Sequence, residues 1–220
     1  TLGEAWNVGF SYKSPIWQER WTYNSSNPDL SPRRIGLQAQ IPAIYSWGVA
    51  YKGLPKTLVD VDFRYFDYAN TSLFGSRVID GGLNWKSVFA VAVGAQYEAT
   101  ERITLRAGYL YNTNPVNEPQ TLFNIQAPGI LQQTFSIGAS MRMAEHIVFS
   151  FAWAHSFNNS ITGPILQLPN STATLSGSAD SLLAGVTIQY GPKRNSAESP
   201  SPSPTLDGIP QTAIPPQPTP

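Results

Sequence analysis

The chain has 220 residues and no cysteine, which excludes disulfides and thiolate metal sites. Its 14 basic and 14 acidic residues balance, so no charge excess points to nucleic acid or to an anionic surface. Charged residues make up only 13% of the chain, a low share for a soluble domain, and the apolar runs are far shorter than the about 20 residues of a membrane helix.

Alternation of apolar and polar residues recurs along nearly the whole chain and predicts β-strands. We expect Ser14-Pro15 to turn the chain, so that 16–23 runs back beside 5–13. Pro42 interrupts a longer stretch, which we interpret as one kinked strand. The nine predicted strands are 5–13, 16–23, 34–52, 57–70, 87–98, 103–112, 132–143, 147–156 and 176–190.

The connections between these strands alternate in length. The short turns are 14–15, 53–56, 99–102 and 144–146, and the long loops are 24–33, 71–86, 113–131 and 157–175. Outer-membrane barrels have short periplasmic turns and long extracellular loops, so the alternation favours an antiparallel transmembrane β-barrel. The alternative is a soluble all-β domain with one solvated face.

The two faces of the strands agree with a barrel. In 103–112, Ile103, Leu105 and Tyr109 point one way, whereas Thr104 and Arg106 point the other. Tyr and Trp gather towards strand ends, where amphipathic rings meet the membrane interfaces. We therefore expect lipid outside the apolar face and a polar lumen inside the other.

Strand parity predicts that strands are missing. Nine is odd, whereas single-chain bacterial barrels have even counts, and the first strand would begin on the extracellular side. We expect residues 1–190 to be the C-terminal part of a larger barrel. Residues 191–220 contain nine prolines, which predicts an extended, disordered tail in the periplasm. One interpretation is that the tail is a periplasmic spacer or a ligand for a proline-binding domain. The alternative is an unselected disordered extension.

Four stretches resemble the FadL/TodX family of outer-membrane transporters. They are "NVGFSYKSP", "IPAIYSWGVAYKGLP", "WKSVFAVAVGAQYEATERITLRAGYLYNTNP" and "FAWAHSF". The resemblance implies a barrel of fourteen strands, closed by an N-terminal plug, that carries long-chain fatty acids or aromatic hydrocarbons inward. The ligand would be captured among extracellular loops, pass into the lumen and leave through a lateral opening in the barrel wall. The plug and the early strands would be partners missing from this chain, and the family commonly has an acid where this chain has Asn112.

Polar-face residues are the first candidates for ligand contact. Arg106 could bind a carboxylate head group or the plug, since its fork matches a carboxylate; the alternative is a cross-strand pair with an acid. Asn112 lies on the same face. Arg64 follows Asp60 and Asp62 along one strand, a row that also suits a lumen wall or plug docking.

The loop at 122–131 is unusually apolar for a surface loop. Its apolar residues could form a rim that captures a hydrophobic ligand, or they could pack together to close the barrel mouth. The candidates are Leu122, Phe123, Ile125, Ile130 and Leu131.

We predict passive uptake of hydrophobic small molecules, with no cofactor, no metal and no nucleic acid involved. Enzyme activity is not expected, because His155 and Ser156 are adjacent on a strand and point to opposite faces. The alternative is a structural or adhesive outer-membrane barrel that binds partners through its long loops.

Overall fold

The computed structural model describes residues 3–27, 29–165 and 168–189, without the side chains at 35, 37 and 79. The predicted tail at 191–220 lies outside these ranges. None of the short helical turns in the described ranges is long and apolar enough to cross a membrane. The strands are β1 (Trp6–Lys13), β2 (Ile16–Ser26), β3 (Pro32–Ile41), β4 (Ile44–Leu54), β5 (Thr57–Phe66), β6 (Val88–Glu98), β7 (Ile103–Asn112), β8 (Gln133–Ala144), β9 (Ile147–Pro164) and β10 (Thr172–Ile188).

Eight of these strands form one antiparallel sheet, in the order β1-β4-β5-β6-β7-β8-β9-β10. β2 and β3 form a separate two-stranded sheet whose pairing continues that of β1 with β4. Tyr12 pairs with Tyr45 in the large sheet, and a few residues further on Ile16 pairs with Ile41. Pro15 and Pro42 lie at the break, where proline cannot donate a ladder hydrogen bond. Residues 14–43 are thus a hairpin extending the β1–β4 ladder.

The predicted reversal at Ser14-Pro15 is therefore wrong. β1 pairs with β4 and β2 with β3, so the chain continues in the same direction through Ser14-Pro15. The reversal lies at Asn27–Ser31 instead, where Leu30 adopts a positive φ of 67° and donates its N–H to Asn27. The stretch predicted as one kinked strand is divided into β3 and β4, which lie in different sheets. A proline within a strand pattern marks a break without telling whether the chain turns there.

The corrected topology changes the two ends of the sheet. Short turns at 55–56, 99–102 and 145–146 lie at one end, and the connections 14–43, 67–87, 113–132 and 165–171 lie at the other. β1 thus begins at the short-turn end. With eight strands in the sheet, the argument for an odd number of missing strands loses its basis.

The faces of the eight-stranded sheet differ as the sequence predicts. Paired residues share a face, so a row can be followed from strand to strand. One row is wholly apolar from β1 to β8: Val8, Val49, Val61, Val93, Tyr109 and Phe135. Its side is exposed, with Val8 at 54% and Leu182 at 70%. We call this side the apolar face and the opposite side the polar face.

Among the described residues, the buried apolar side chains lie at the long-loop end of the sheet. They are Ala43, Val88, Ala90, Val116 and Ile130. They come from strand residues next to the long loops and from these loops themselves. The sheet itself therefore has an apolar face that protein does not cover, as in a membrane barrel.

β9 and β10 are longer than predicted, with 18 and 17 residues. The predicted loop at 157–175 is mostly strand, and only 165–171 connects the two. The prediction failed because hydroxyl residues replace apolar ones on one side of this extension, so the alternation disappears from the sequence. Between Gly177 and Ala179 a β-bulge places two β9 residues opposite one β10 residue. This bulge keeps Asn159 on the polar face.

Candidate functional site

β5 places a row of charged, half-buried side chains on the polar face at Asp60, Asp62 and Arg64. The acids lean over glycines of the neighbouring strands. A side chain at Gly48 would collide with the Asp62 carboxylate, and one at Gly94 would collide with that of Asp60. The two glycines therefore make room for charged groups on this face.

Arg106 lies on the polar face within a chain of hydrogen bonds that runs from β6 to β9. Its Nε donates to Gln96 Oε1 at 2.9 Å, and a terminal nitrogen donates to Ser140 Oγ at 2.6 Å. Ser140 is buried and also hydrogen-bonds Ser150 at 2.8 Å. A guanidinium has five N–H donors, so three stay outside this chain of bonds. The partners are an amide and a hydroxyl rather than the acid considered from the sequence.

Asn112 ends β7 and anchors the loop that follows. Its side-chain Nδ2 donates to the Leu131 carbonyl at 2.9 Å, and the side-chain Nε2 of Gln132 donates to the Asn112 carbonyl at 3.2 Å. The side chain thus ties the end of β7 to the residues that enter β8. A contact with ligand stays a prediction.

The loop at 113–132 has an interior of its own. Thr121 and Asn124 are 0% exposed and Ile130 is 1% exposed, whereas Phe123 and Ile125 are 37% and 53% exposed. Leu122 and Leu131 are half-buried. The predicted apolar rim therefore divides. Ile130 lies where the packing alternative puts it. We call the two exposed side chains, Phe123 and Ile125, the apolar patch.

Asn124 joins this loop to the loop at 67–87. Its Nδ2 donates to the carbonyls of Gln120 at 2.9 Å and Leu83 at 3.3 Å, and its Oδ1 accepts from the Trp85 indole. Trp85 packs edge-on against Tyr68, with ring centroids 5.2 Å apart, and burial raises the pKa of the Tyr68 phenol. Sequence reasoning missed Asn124, because a loop asparagine gives no signal until its partners are known.

Two further side-chain amides hold these loops in place: Asn117 joins the two loops to each other, and Asn159 joins the loop at 113–132 to β9. Asn117 Nδ2 donates to the Asn84 carbonyl at 2.7 Å, and Asn159 Nδ2 of β9 donates to the Ile130 carbonyl at 2.7 Å. A polar groove of about 440 Å³ runs between the loop and β9, lined in part by Lys86 and Gln132. The loops therefore lie on the polar-face side of β9, at the long-loop end.

The structure offers no arrangement for hydrolysis at His155 and Ser156. Ser156 pairs with Thr134 on the polar face, and their hydroxyls are 2.8 Å apart. His155 pairs with Phe135 and lies on the apolar face, where Nδ1 is 2.9 Å from Asp180 Oδ1. Across the described ranges, no group of three or more His, Asp or Glu side chains could hold a metal ion.

Comparison with known proteins gives a family match. The model of the family described as "Outer membrane protein transport protein (OMPP1/FadL/TodX)" matches residues 36–190. A curated relative, the "47 kDa outer membrane protein" of Pasteurella multocida, is 22% identical over 129 residues, covering 54% of this chain and 28% of the relative.

Solved structures share the fold at low identity. The toluene transporter TodX of P. putida has a TM-score of 0.55 at 11% identity, covering 87% of this chain and 47% of its own. A Pseudomonas aeruginosa FadL homologue has a TM-score of 0.62 at 13% identity, covering 84% of this chain and 49% of its own. The chain thus spans about half the length of these barrels, and the predicted fold class, part of an antiparallel β-barrel, is confirmed.

Proposed function

Because this chain belongs to the OMPP1/FadL/TodX family of outer membrane transport proteins, we propose that it forms part of a barrel through which hydrophobic small molecules diffuse into the cell. The observation that carries the proposal is the position of the apolar patch. Phe123 and Ile125 are exposed on a loop that is fastened over the polar-face side of the sheet. An apolar patch at such a position suits capture of a hydrophobic ligand from the outside.

After capture, the ligand would move along the polar face. That face combines small residues such as Gly108 and Ser136, which pair directly, with the fixed guanidinium of Arg106. Small side chains leave space for a hydrophobic body, and guanidinium donors suit a carboxylate end. We propose long-chain fatty acids or related hydrocarbons as ligands, with Arg106, Arg64 and Asn112 as polar contacts. No bond is made or broken in the ligand.

The complete pathway would require parts outside this chain. We propose that preceding strands close the barrel and that an N-terminal plug occupies it, with Asp60, Asp62 and Arg64 facing that plug. The tail at 191–220 would lie in the periplasm. The short coverage of the similar barrels, 47% to 49% of their length, is consistent with this division.

The test replaces the apolar patch in the native full-length protein. Phe123→Asp together with Ile125→Asp should lower the initial rate of uptake of a fluorescent long-chain fatty acid, because each charge opposes apolar contact. A matched control is Leu30→Asp, which changes an 84% exposed leucine at the tip of the β2–β3 hairpin. It should leave uptake unchanged.

Equal uptake in both variants, at equal protein levels in the outer membrane, would remove loop capture from the proposal. If cells lacking the protein take up the ligand as well as the wild type does, transport itself is excluded. The structural or adhesive alternative would then stand, and it predicts loss of partner binding on changing the same loop.

A further inference from the structure

The polar face of β7 and β8 carries a stripe of small and polar side chains that ends in two arginines. From the long-loop end downwards, its cross-strand pairs are Gly108–Ser136, Arg106–Gly138 and Thr104–Ser140. The next pair in this register is Arg102 opposite Arg142, where the Arg142 N–H donates to the Arg102 carbonyl at 2.8 Å. Because alternate residues share a face, all three arginines lie on the polar face. The stripe therefore leads from Arg106 to two guanidinium groups at the short-turn end.

These two arginines lie opposite each other without an acidic partner. Both are exposed, and within the described ranges neither guanidinium group forms an ion pair. Glu98 of β6 pairs with Thr104 on the same face, yet it forms no ion pair with Arg102. Like charges directly opposite each other on an antiparallel pair are destabilising. A bound anion would relieve this repulsion, and each guanidinium group matches a carboxylate with two parallel N–H donors.

The two arginines line an open cavity of about 630 Å³ at the short-turn end of the sheet. Its apolar lining comes from Ile103, Met141 and Met143, which alternate with the arginines along the two strands. Glu101 is the acid in the lining, so two arginines and one glutamate leave one positive charge in excess. The cavity thus places a positive charge beside apolar surface, a combination that fits an amphiphile with one anionic group.

We propose that Arg102 and Arg142 bind the carboxylate of a long-chain acid at the inner end of the polar face. This inference rests on the proposed transport function, and it adds the place where the ligand leaves the part of the barrel that this chain forms. Short turns lie on the periplasmic side of outer-membrane barrels, so this end of the polar face is the inner one. The hydrocarbon chain then lies on Ile103 and the two methionines, which belong to the apolar face at the rim of the sheet.

The site is separate from Arg106. Four residues along β7 divide Arg106 from Arg102, a distance of about 13 Å in an extended strand. The hydroxyl pair Thr104–Ser140 lies between the two levels, and Ser140 already binds the Arg106 guanidinium at 2.6 Å. A carboxylate therefore meets two successive binding positions as it moves inwards along the stripe.

A long-chain acid fits this cavity better than two other anions that can reach the inner end. A phospholipid approaches the sheet from its apolar face, whereas the alternation puts both guanidinium groups on the polar face. An acidic protein segment would leave the apolar lining without a partner. The stripe also connects the cavity to the route already proposed for the ligand, so a carboxylate reaches it along the polar face.

Photolabelling of the detergent-purified full-length protein locates the carboxylate. The probe is a long-chain acid with a diazirine next to its carboxyl group, and labelled chymotryptic peptides are identified by mass spectrometry. The variant is Arg102→Gln with Arg142→Gln. The matched control is Lys52→Gln with Lys56→Gln, which removes the same charge at the short-turn end, beside β4 and β5. Heat-dependent gel mobility establishes that each protein is folded.

We expect label in 99–103 and 141–143, and about tenfold less of it in the arginine variant, as for the loss of a hydrogen bond to a charged group. The lysine control should be labelled as strongly as the wild type. Equal labelling of the arginine variant and the wild type would overturn the inference. So would displacement of the probe by phosphatidylglycerol vesicles as effective as that by palmitate, because the occupant would then be a phospholipid phosphate.

Uptake by cells separates this inference from the transport proposal. The arginine variant should take up a long-chain acid about tenfold more slowly than the wild type, for the same loss of hydrogen bonding, with uptake of the alcohol of equal length unchanged. An equal loss for both ligands would indicate a structural role and would also overturn the site. If wild-type cells take up neither ligand faster than cells lacking the protein, the transport proposal fails, and the labelling alone decides whether the site binds a carboxylate.

Discussion

Replacing Asn124 by leucine should release the loop at 113–132 while leaving the sheet intact. The substitution keeps the volume but removes three side-chain hydrogen bonds at a position that is 0% exposed. A buried hydrogen bond contributes about 1 kcal/mol, and an unpaired buried group costs about 1–3 kcal/mol. The indole N–H of Trp85 and two carbonyls lose their partner together. We therefore expect the loop to lose about 3 kcal/mol of stability against local opening.

Hydrogen exchange measured by mass spectrometry checks this value. A loss of about 3 kcal/mol corresponds to a roughly 100-fold faster exchange of the amides in 113–132 and 67–87, since about 1.4 kcal/mol is tenfold. Amides of β7 and β8 should be unaffected. Gln126→Leu is the control, because Gln126 is exposed in the same loop. Exchange in 113–132 within threefold of the wild type would refute the claim that Asn124 holds the two loops together.

Three further predictions concern other parts of the chain. Gly94→Val should lower the free energy of unfolding in urea by about 1–3 kcal/mol, because the new Cβ would meet the Asp60 carboxylate. Gly185→Ala should leave that free energy unchanged, because the space around Gly185 is open. Equal unfolding midpoints for the two variants would contradict this prediction. At the hairpin tip, hydrogen bonds from the Ser31 hydroxyl and amide lower the pKa of Asp29, so their stabilisation is present above the unfolded-state pKa and lost as pH falls through the folded-state pKa. The NMR shift of the Ser31 amide should follow that titration, and Asp29→Asn should abolish it; a titrating Ser31 amide in that variant would exclude Asp29 as the cause. Arg106→Gln should lower uptake of a long-chain acid about tenfold relative to the alcohol of equal length, since hydrogen bonds to charged groups contribute about 1.5–3 kcal/mol. An equal loss of uptake for both ligands would indicate a structural role for Arg106.

Strands with regular alternation of apolar and polar residues were predicted correctly, whereas the hairpin at 14–43 and the extensions of β9 and β10 were missed. β7 was placed without error, because its residues alternate with Leu110 as the one exception and turn residues flank it. The reversal at Ser14-Pro15 was wrong because β1 and β2 are separated by proline yet continue in one direction. The extension of β9 and β10 was missed because its outward residues are hydroxyls, so no apolar period marks it.

The candidate site was predicted only in part for a similar reason. The polar-face position of Arg106 was predicted from the alternation along β7, but Gln96 and Ser140, which hydrogen-bond it, lie 10 and 34 positions away in the chain. Ile130 and Phe123 look alike in sequence, and only the folded loop separates a buried side chain from an exposed one. Burial within an irregular loop depends on long-range contacts that periodicity does not report.

The most direct test of passage along the polar face uses the absence of cysteine from this chain. A single cysteine is introduced at Ser136 on the polar face, or at its neighbour Ile137 on the apolar face, and is reacted with a bulky thiol reagent. Uptake of a hydrophobic fluorescent ligand is then measured. Modification at Ser136 should block uptake, and modification at Ile137 should leave it unchanged. Undiminished uptake with a fully modified Ser136→Cys protein would contradict the account.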